Sequence, residues 1–158
     1  MPEPGRLNLP AGYGDFEPFT IETTPGWDDV EPKLELARNY WVSVADHKGP
    51  HSVPVWGVWI DLSFIFSSDP RSRKGKAIAV GSACQVHLES GDDVVIVEGT
   101  IEVLPAELLT RFMTAYEEKY DVLIDPADPA TAIYRLEPVQ AMTWIEADFL
   151  RTATRWEF

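Results

Sequence analysis

The chain has few cysteines, few basic residues and no long apolar run. Its single cysteine, Cys84, cannot form a disulfide within the chain, and such sparse cysteine usage is typical of a reducing compartment. The first residues lack the apolar stretch of a secretory signal peptide, and no window approaches the roughly 18 consecutive apolar residues of a membrane span. We therefore expect a cytoplasmic protein.

Basic residues are scarce relative to acidic ones. Thirteen lysines and arginines against 26 aspartates and glutamates give a net charge of −13. Nucleic acids and anionic membranes attract basic surfaces, so this balance argues against both as general partners. The 158 residues, 45% of them hydrophobic, correspond to one folded domain of ordinary size.

The amino-terminal residues are rich in proline, glycine and acidic side chains and show no lasting hydrophobic period. We predict that residues 1–29 form an irregular arm and that residues 30–158 form the folded domain. Apolar residues recur at helical spacing in 30–39 and again in 105–120, which predicts two helices. Four apolar side chains of the arm are available to pin it to the core: Phe16, Phe19, Ile21 and Trp27.

Most of the remaining sequence alternates apolar and polar residues, which predicts strands. Polar turns separate them, and residues 77–82 read as a short helix or turn. Closely spaced strands with short turns are typical of a sandwich or barrel, so we predict a mainly β fold with flanking helices. The predicted strands cover 40–46, 51–59, 64–68, 84–90, 93–104, 131–138, 139–146 and 154–158.

The densest basic segment of the chain lies in a predicted polar loop, residues 69–76, which follows one predicted strand end. Four of the 13 basic residues, Arg71, Arg73, Lys74 and Lys76, fall within six positions, and Ser67, Ser68 and Ser72 flank them. Guanidinium, ammonium and hydroxyl groups together suit a phosphate. The alternative is a solvated turn. A loop that only had to be soluble would not need positive charge in so acidic a chain, so we favour the anion site.

A second feature is the predicted strand that contains Pro54, Trp56, Gly57 and Trp59. Glycine permits close approach to the backbone, and proline indicates a sheet edge or an interrupted ladder. Flat aromatic surface beside a glycine suits a planar ligand ring. The alternative is plain core packing of the two tryptophans, and for them as a pair it is the stronger interpretation.

The sequence offers no recognisable protein nucleophile, metal motif or dinucleotide fingerprint. Cys84 and His87 are three apart on a predicted strand, so their side chains should face opposite sides. Glu98 is either a buried carboxylate or, more commonly for a strand, an outward-facing polar residue. We therefore expect any chemistry to come from a bound cofactor.

Residues 40–104 resemble the pyridoxamine 5′-phosphate oxidase-like flavin-binding split barrels, a superfamily that also includes reductases dependent on the deazaflavin F420. A strand ending in Ser-Ser, a short loop and then Ser-Arg-Lys form the shared signature. The resemblance extends over roughly residues 34–158. Near the carboxyl end, Tyr134 to Pro138 followed by Trp144, Arg151 and Arg155 are similar to the corresponding segment of the oxidases.

The resemblance implies a split β-barrel of the FMN-binding type and a homodimer with cofactor sites at its interface. The cofactor would be FMN, or alternatively F420. Ser67, Ser68, Ser72, Arg73 and Lys74 would hold the ribityl phosphate, while Trp144 and Arg155 would complete the pocket from the other subunit. The strand that runs beside the isoalloxazine ring would comprise Val53, Pro54, Val55, Trp56, Gly57 and Val58.

Three departures argue against oxidation of vitamin B6 itself. No lysine stands in the strand around Gly57, Val94 replaces a flavin-contacting glutamine, and the arginine pair encloses Thr-Ala-Thr instead of Leu-His-Asp. The implied activity is hydride transfer between a reduced donor such as NAD(P)H and a small acceptor. The alternatives are an F420-dependent reductase and a flavin-binding or storage protein without turnover.

The anionic polyglutamate tail of F420 needs an extended basic groove, and the acidity of the chain favours FMN instead. The residues available for such a groove are Lys33, Arg38, Lys48, Arg71 and Lys76.

Overall fold

The computed structural model of the chain describes residues 1–14, 20, 24–81 and 83–158, so the predicted anchors Phe16, Phe19 and Ile21 lie outside the described residues. Most of the chain is antiparallel sheet. The strands are β1 (Glu3–Arg6), β2 (Tyr40–Asp46), β3 (Gly49–Val55), β4 (Gly57–Ile60), β5 (Ser63–Ser68), β6 (Ala83–His87), β7 (Asp93–Val103), β8 (Ala132–Ile145) and β9 (Thr154–Glu157).

Helices flank this sheet, as predicted. They are α1 (Trp27–Leu36), α2 (Arg73–Ala79), α3 (Leu109–Tyr120) and α4 (Phe149–Thr152), with short 3-10 turns at Ala11–Tyr13, Ala106–Leu108 and Glu146–Asp148. Within the described part of the chain, none of these helices is long and apolar enough to cross a membrane.

The long strand β8 connects two parts of the sheet. Seven strands follow the order β1-β9-β8-β7-β6-β2-β3. The first half of β8 also pairs with β5, which in turn pairs with β4. Because β8 belongs to both parts, the sheet closes around one main core.

Two apolar clusters fill the interior. The main cluster lies inside the sheet and includes Tyr40, Phe64 and Phe66. Trp27 joins α1 to it, with its ring 5.3 Å from that of Trp156. The second cluster lies under α3, where Phe112, Tyr116 and Tyr120 cover Val58 and Ile65.

The amino-terminal arm is more regular than predicted. Residues 1–29 were predicted to be irregular, but Glu3–Arg6 form strand β1, which pairs with β9 near the carboxyl end. The prediction is therefore wrong for Glu3–Arg6. Helix α1 begins at Trp27, three residues before the predicted start. The segment Glu3–Arg6 contains a proline and a glycine and has no apolar alternation, so its own sequence gives little indication of a strand. Strand β1 forms because this segment pairs with β9.

The predicted strands 131–138 and 139–146 are one continuous strand in the structure. Pro138 normally interrupts a ladder, but it lies opposite Gly99, where the pairing of β7 and β8 shifts register. A Cβ atom at Gly99 would lie 2.1 Å from the Glu137 carbonyl oxygen. The glycine therefore allows the bulge that accommodates the proline.

Candidate functional site

The basic cluster lies mainly on α2, in contrast to the loop predicted from the sequence. The Ser72 hydroxyl caps this helix by accepting a hydrogen bond from the Gly75 N–H at 3.0 Å. A Cβ atom at Gly75 would lie 2.6 Å from the Asp69 carbonyl oxygen and 2.7 Å from Pro70. Gly75 is thus the residue that lets the preceding turn close against the helix.

The three serines lie at the junction of β5 and α2. Ser67 and Ser68 end β5 opposite Ile133 and Ala132 of β8. The Ser68 and Ser72 hydroxyl oxygens are 3.4 Å apart. The Ser67 hydroxyl, in contrast, lies close enough to the Tyr116 phenol to oppose the rise in the pKa of that phenol that burial causes. Ser68 and Ser72 therefore present adjacent hydroxyls.

Two of the four cations are paired with carboxylates. Arg71 pairs with Asp69 at 2.8 Å, which lowers the Asp69 pKa to about 2. The Arg73 guanidinium donates two hydrogen bonds to the Asp46 carboxylate, at 2.9 and 2.8 Å, and one to the Gly49 carbonyl at 3.0 Å. These bonds hold the pKa of Asp46 well below its usual range. The positive charge of both arginines is therefore largely neutralised.

Lys74 differs from the two arginines because it is a buried cation. The residue is only 7% exposed, and its ammonium lies over the Phe66 ring, 5.5 Å from the ring centre. Among the described residues, the ammonium has no hydrogen bond and no ion pair. Burial lowers its pKa. A buried charge without an anionic partner is costly, so the position suits an anion supplied from outside the chain.

The predicted ring-binding segment is divided between β3 and β4. Val53, Pro54 and Val55 lie on β3, which ends the described order of strands, in agreement with the edge position predicted from Pro54. Trp56 breaks the strand that the sequence predicted to be continuous. It is 37% exposed and stacks on Tyr120 at 4.8 Å, whereas Trp59 is buried in the main core.

Gly57 was expected to admit a ligand, but the structure gives it a packing role. A Cβ atom there would lie 2.5 Å from the Phe64 ring. The Tyr120 hydroxyl accepts from the Gly57 N–H at 3.0 Å and donates to its carbonyl at 2.8 Å. Val58 belongs to the cluster under α3. The space next to these two residues is therefore filled by the chain itself.

The carboxyl-terminal residues implied by the resemblance lie at the far end of β8. Trp144 stands opposite Val94, and Arg155 stands opposite Met142. Arg155 pairs with Glu157 at 2.7 Å, while its buried Nε atom has no hydrogen-bond partner among the residues that the structure describes.

The register of β8 gives the distance between the serines at the β5–α2 junction and the predicted carboxyl-terminal residues. Ala132 lies opposite Ser68, and Trp144 is 12 positions farther along the strand, about 40 Å at roughly 3.3 Å per residue. One copy of the chain does not bring the serine junction together with Trp144.

Cys84 and His87 face opposite sides of β6, as predicted. Cys84 is 3% exposed in the main core, and burial raises the pKa of its thiol to about 12. His87 stacks on Trp41 on the other face. Glu98 is half-buried and accepts bonds from Gln85 at 3.1 Å and Gln140 at 2.6 Å.

Sequence reasoning missed Asp46 and Tyr120, which hold Arg73 and Gly57. Each lies far along the chain from its partner, so no local pattern links the pairs. Among the described residues, no group of three histidine, cysteine, aspartate or glutamate side chains is arranged to hold a metal ion.

No protein-family model and no curated protein matches the chain. Several solved structures do match in fold. General stress protein 26 from Bacillus anthracis strain Sterne has a TM-score of 0.60 and 19% identity, over 73% of this chain and 91% of that one.

Two further matches have names that indicate redox activity. A protein of the pyridoxinephosphate oxidase family from Clostridium acetobutylicum, related to general stress protein 26, has a TM-score of 0.60 and 14% identity, over 75% of this chain and 87% of that one. An F420 reductase has a TM-score of 0.57 and 19% identity, over 70% and 94%. At these identities the matches establish the fold, so the split-barrel prediction is confirmed.

Proposed function

We propose that this split-barrel protein binds FMN through its phosphate and serves in hydride transfer between a reduced donor and a small acceptor. F420 in place of FMN is the second candidate, and the F420 reductase of similar fold favours it. The observation that carries the proposal is Lys74, a residue only 7% exposed whose ammonium has no hydrogen bond and no ion pair among the described residues. When bound, the cofactor supplies the hydride chemistry, and the protein supplies binding and orientation.

The serine junction complements Lys74 chemically. The Ser72 oxygen already accepts from the Gly75 N–H, so its own hydroxyl proton is free to donate to a phosphate oxygen. The Ser68 hydroxyl lies beside it. One ammonium and two hydroxyl donors match the acceptor-only character of a phosphate. We therefore assign phosphate binding to Lys74, Ser68 and Ser72.

Arg73 has a different part in this proposal from the one that the resemblance implies. It is tied to Asp46 and Gly49, so it holds the β2–β3 turn against α2. A direct bond from its Nη2 to the cofactor would compete with Asp46. We therefore assign Arg73 to positioning of the site.

The proposal includes a homodimer in which each site takes residues from both chains. Along β8, Trp144 lies about 40 Å from the serine junction at roughly 3.3 Å per residue. Arg155 stands opposite Met142, about 33 Å from the junction on the same scale, so neither residue reaches the same cofactor within one copy.

Cofactor binding is tested by titrating the purified protein with FMN and with F420, followed by absorbance and calorimetry. We expect binding of one of them and its loss in Lys74→Met, with no loss in Lys76→Met, an exposed neighbour on α2. The spectrum separates the two cofactors, since FMN is yellow and F420 absorbs in the near violet. If neither cofactor binds, the proposal is refuted.

The shared site is tested with mixed dimers of Lys74→Met and Arg155→Ala chains, co-expressed with different affinity tags. If each site takes Lys74 from one chain and Arg155 from the other, the mixed dimer has one intact site and half occupancy. If both residues act within one chain, the mixed dimer has no intact site.

Turnover is tested by mixing the cofactor-bound protein rapidly with NADH, NADPH or reduced F420. Reduction of bound FMN by a nicotinamide, or of an added acceptor by bound reduced F420, supports an oxidoreductase. If every donor leaves the bound cofactor unchanged, the protein is a cofactor-binding or storage protein instead.

A further inference from the structure

Lys119, near the end of α3, is a half-buried lysine that neither the core nor the phosphate site uses. Its ammonium donates hydrogen bonds to the Glu35 backbone carbonyl at 2.8 Å and to the Tyr40 hydroxyl at 2.6 Å. It lies over the Tyr40 ring, 4.8 Å from the centre, and over the Tyr120 ring, 5.6 Å from the centre. Within the described part of the chain, its partners are neutral oxygen atoms, and no carboxylate forms an ion pair with it.

The two hydrogen bonds determine which position of the Lys119 nitrogen stays open. Both partners act as acceptors, because the Tyr40 hydroxyl itself donates to the Leu34 carbonyl. An ammonium has three N–H groups, and these bonds use two of them. When the third proton leaves, the lone pair that replaces it faces no hydrogen-bond donor among the described residues. A lone pair that is free in this way is what a nucleophilic lysine requires.

Lys119 lines an open cavity of about 320 Å3 between α1, α3 and β4, which we call the Lys119 cavity. Binding pockets for small ligands typically have volumes of about 300–1,000 Å3. The other lining residues are three apolar and two acidic ones, Val58, Trp59, Ala115, Glu35 and Glu118. None of them belongs to the phosphate site proposed above. The lining suits a small uncharged molecule with an apolar part, and its carboxylates repel anions.

Burial makes the Lys119 amine easier to deprotonate than that of an ordinary lysine. Desolvation lowers the pKa of Lys119 to about 8, and the Glu35 carboxylate opposes part of this shift. About a tenth of the amine is then neutral at pH 7, against roughly three parts in ten thousand for a lysine at 10.5. The other charges of this region are Glu118 on the same helix and Arg38, whose guanidinium also lies over the Tyr120 ring.

These surroundings discriminate between the electrophiles that could add to the amine. Acyl phosphates are anions, which the carboxylates of Glu35 and Glu118 repel. Carbon dioxide would leave an anionic carbamate beside the same two carboxylates. An aldehyde is uncharged, and its imine with lysine is a cation when protonated. The rings of Tyr40 and Tyr120 would stabilise that cation as they now stabilise the ammonium.

We propose that Lys119 is a covalent capture site for small neutral aldehydes. The ammonium first releases one proton, the nitrogen lone pair attacks the carbonyl carbon, and a proton moves from nitrogen to oxygen to give a carbinolamine. The carbon–oxygen bond then breaks, and the hydroxyl group leaves as water with the proton released at the start. A carbon–nitrogen double bond forms, which gives the protonated imine. No oxidant, reductant or bound cofactor takes part, so this activity lies beyond the proposed hydride transfer.

The test uses the full chain, free of cofactor, with propionaldehyde as the probe. Sodium cyanoborohydride reduces each imine to a stable secondary amine, and peptide mass spectrometry gives the labelling rate at each lysine. At pH 7 we expect Lys119 to be labelled at least about tenfold faster than the exposed Lys48 and Lys76. This ratio should fall as pH rises from 8 to 10, because Lys119 is then already neutral, whereas an ordinary lysine loses its proton near 10.5.

A second probe and two variants test the contribution of the acidic lining. Glyoxylate is an anionic aldehyde of similar size, so its rate advantage at Lys119 should be at least about threefold smaller than that of propionaldehyde. Glu118→Gln should raise the ratio of glyoxylate to propionaldehyde labelling at Lys119. The matched Glu107→Gln, an exposed position outside the cavity, should leave that ratio unchanged.

Unfolding provides a control that needs no substitution. In concentrated guanidinium chloride every lysine is solvated, so the labelling rates at Lys119 and Lys48 should agree within about twofold. If Lys119 of the folded protein is labelled no faster than Lys48 and Lys76, or if its advantage persists after unfolding, the proposal is overturned. Both results leave the assignment of FMN or F420 intact, because cofactor binding is measured separately, and failure of cofactor binding leaves Lys119 labelling unaffected.

Discussion

Replacing Lys74 by methionine removes one charge and preserves most of the side-chain length. In the wild type Lys74 is 7% exposed, and its ammonium has no ion pair or hydrogen bond among the described residues. The effective cost of burying an unpaired ion is several kcal/mol, and a cation–π contact such as that with Phe66 returns about 0.5–2 kcal/mol. A methionine sulfur against the same ring returns about 0.3–1.5 kcal/mol without the desolvation cost.

The cofactor-free Lys74→Met protein should therefore be more stable than the wild type. We expect a gain on the order of 1–3 kcal/mol in the free energy of unfolding, with about 2–4 °C in Tm for each kcal/mol. The variant should at the same time lose roughly 10- to 150-fold in cofactor affinity, since a hydrogen bond to a charged group contributes about 1.5–3 kcal/mol. Higher stability with weaker binding is the signature of a charge kept for function.

The pH dependence gives this prediction a second test. Burial lowers the folded-state pKa of Lys74 below the unfolded value of 10.5. Between these two values the unfolded chain holds one more proton than the folded chain, so the wild type gains stability as pH rises. The advantage of Lys74→Met should therefore be complete at neutral pH and shrink toward pH 10.5.

The measurement is urea unfolding of both proteins, free of cofactor, across that pH range. Lys76→Met serves as the exposed control and should leave the free energy of unfolding unchanged. If Lys74→Met is instead destabilised by about 2 kcal/mol or more, as for loss of a core contact, the lysine is a structural residue and our reasoning is wrong.

Three further predictions concern the core and the junction. The first concerns Cys84, whose thiol ionises near pH 9.0 in the unfolded chain and near 12 in the folded chain. From pH 7 to pH 10 the free energy of unfolding of the wild type should therefore fall by about 1.4 kcal/mol relative to that of Cys84→Ala. Equal pH profiles of the two proteins in urea unfolding would exclude this. Gly75→Ala should cost about 1–3 kcal/mol in thermal unfolding and weaken cofactor binding, whereas Gly91→Ala, in open space, should do neither. Tyr120→Phe leaves the Gly57 N–H unpaired and should cost about 1–3 kcal/mol in urea unfolding, against no change for the exposed Tyr13→Phe.

Several elements could be predicted from local patterns because their burial is regular. Strand β2 alternates buried and half-buried residues, and α3 buries Phe112, Tyr116 and Tyr120 at helical spacing. Strand β1 could not be predicted, since Glu3–Arg6 has no apolar alternation and exists through pairing with β9. The unbroken course of β8 through Pro138 likewise depends on the bulge at Gly99 in another strand.

The site shows the same division between local and long-range information. The grouping of Ser68 with Ser72 follows from their closeness in sequence, and the structure places their hydroxyls side by side. The orientations of the cations could not be predicted, because they depend on which side of α2 meets the core. Asp46 lies 27 residues before Arg73, and only the closure of the sheet brings the two together.

The double pairing of β8 has a mechanical consequence. A strand that is hydrogen-bonded to β7 along its length, and to β5 and β9 at its two halves, leaves no hinge about which one part of the protein could swing away from the other. Entry and release of the proposed cofactor must then involve the loops, while the sheet moves as a rigid body. The central amides of β8 should accordingly be among the last in the molecule to exchange their hydrogens with solvent.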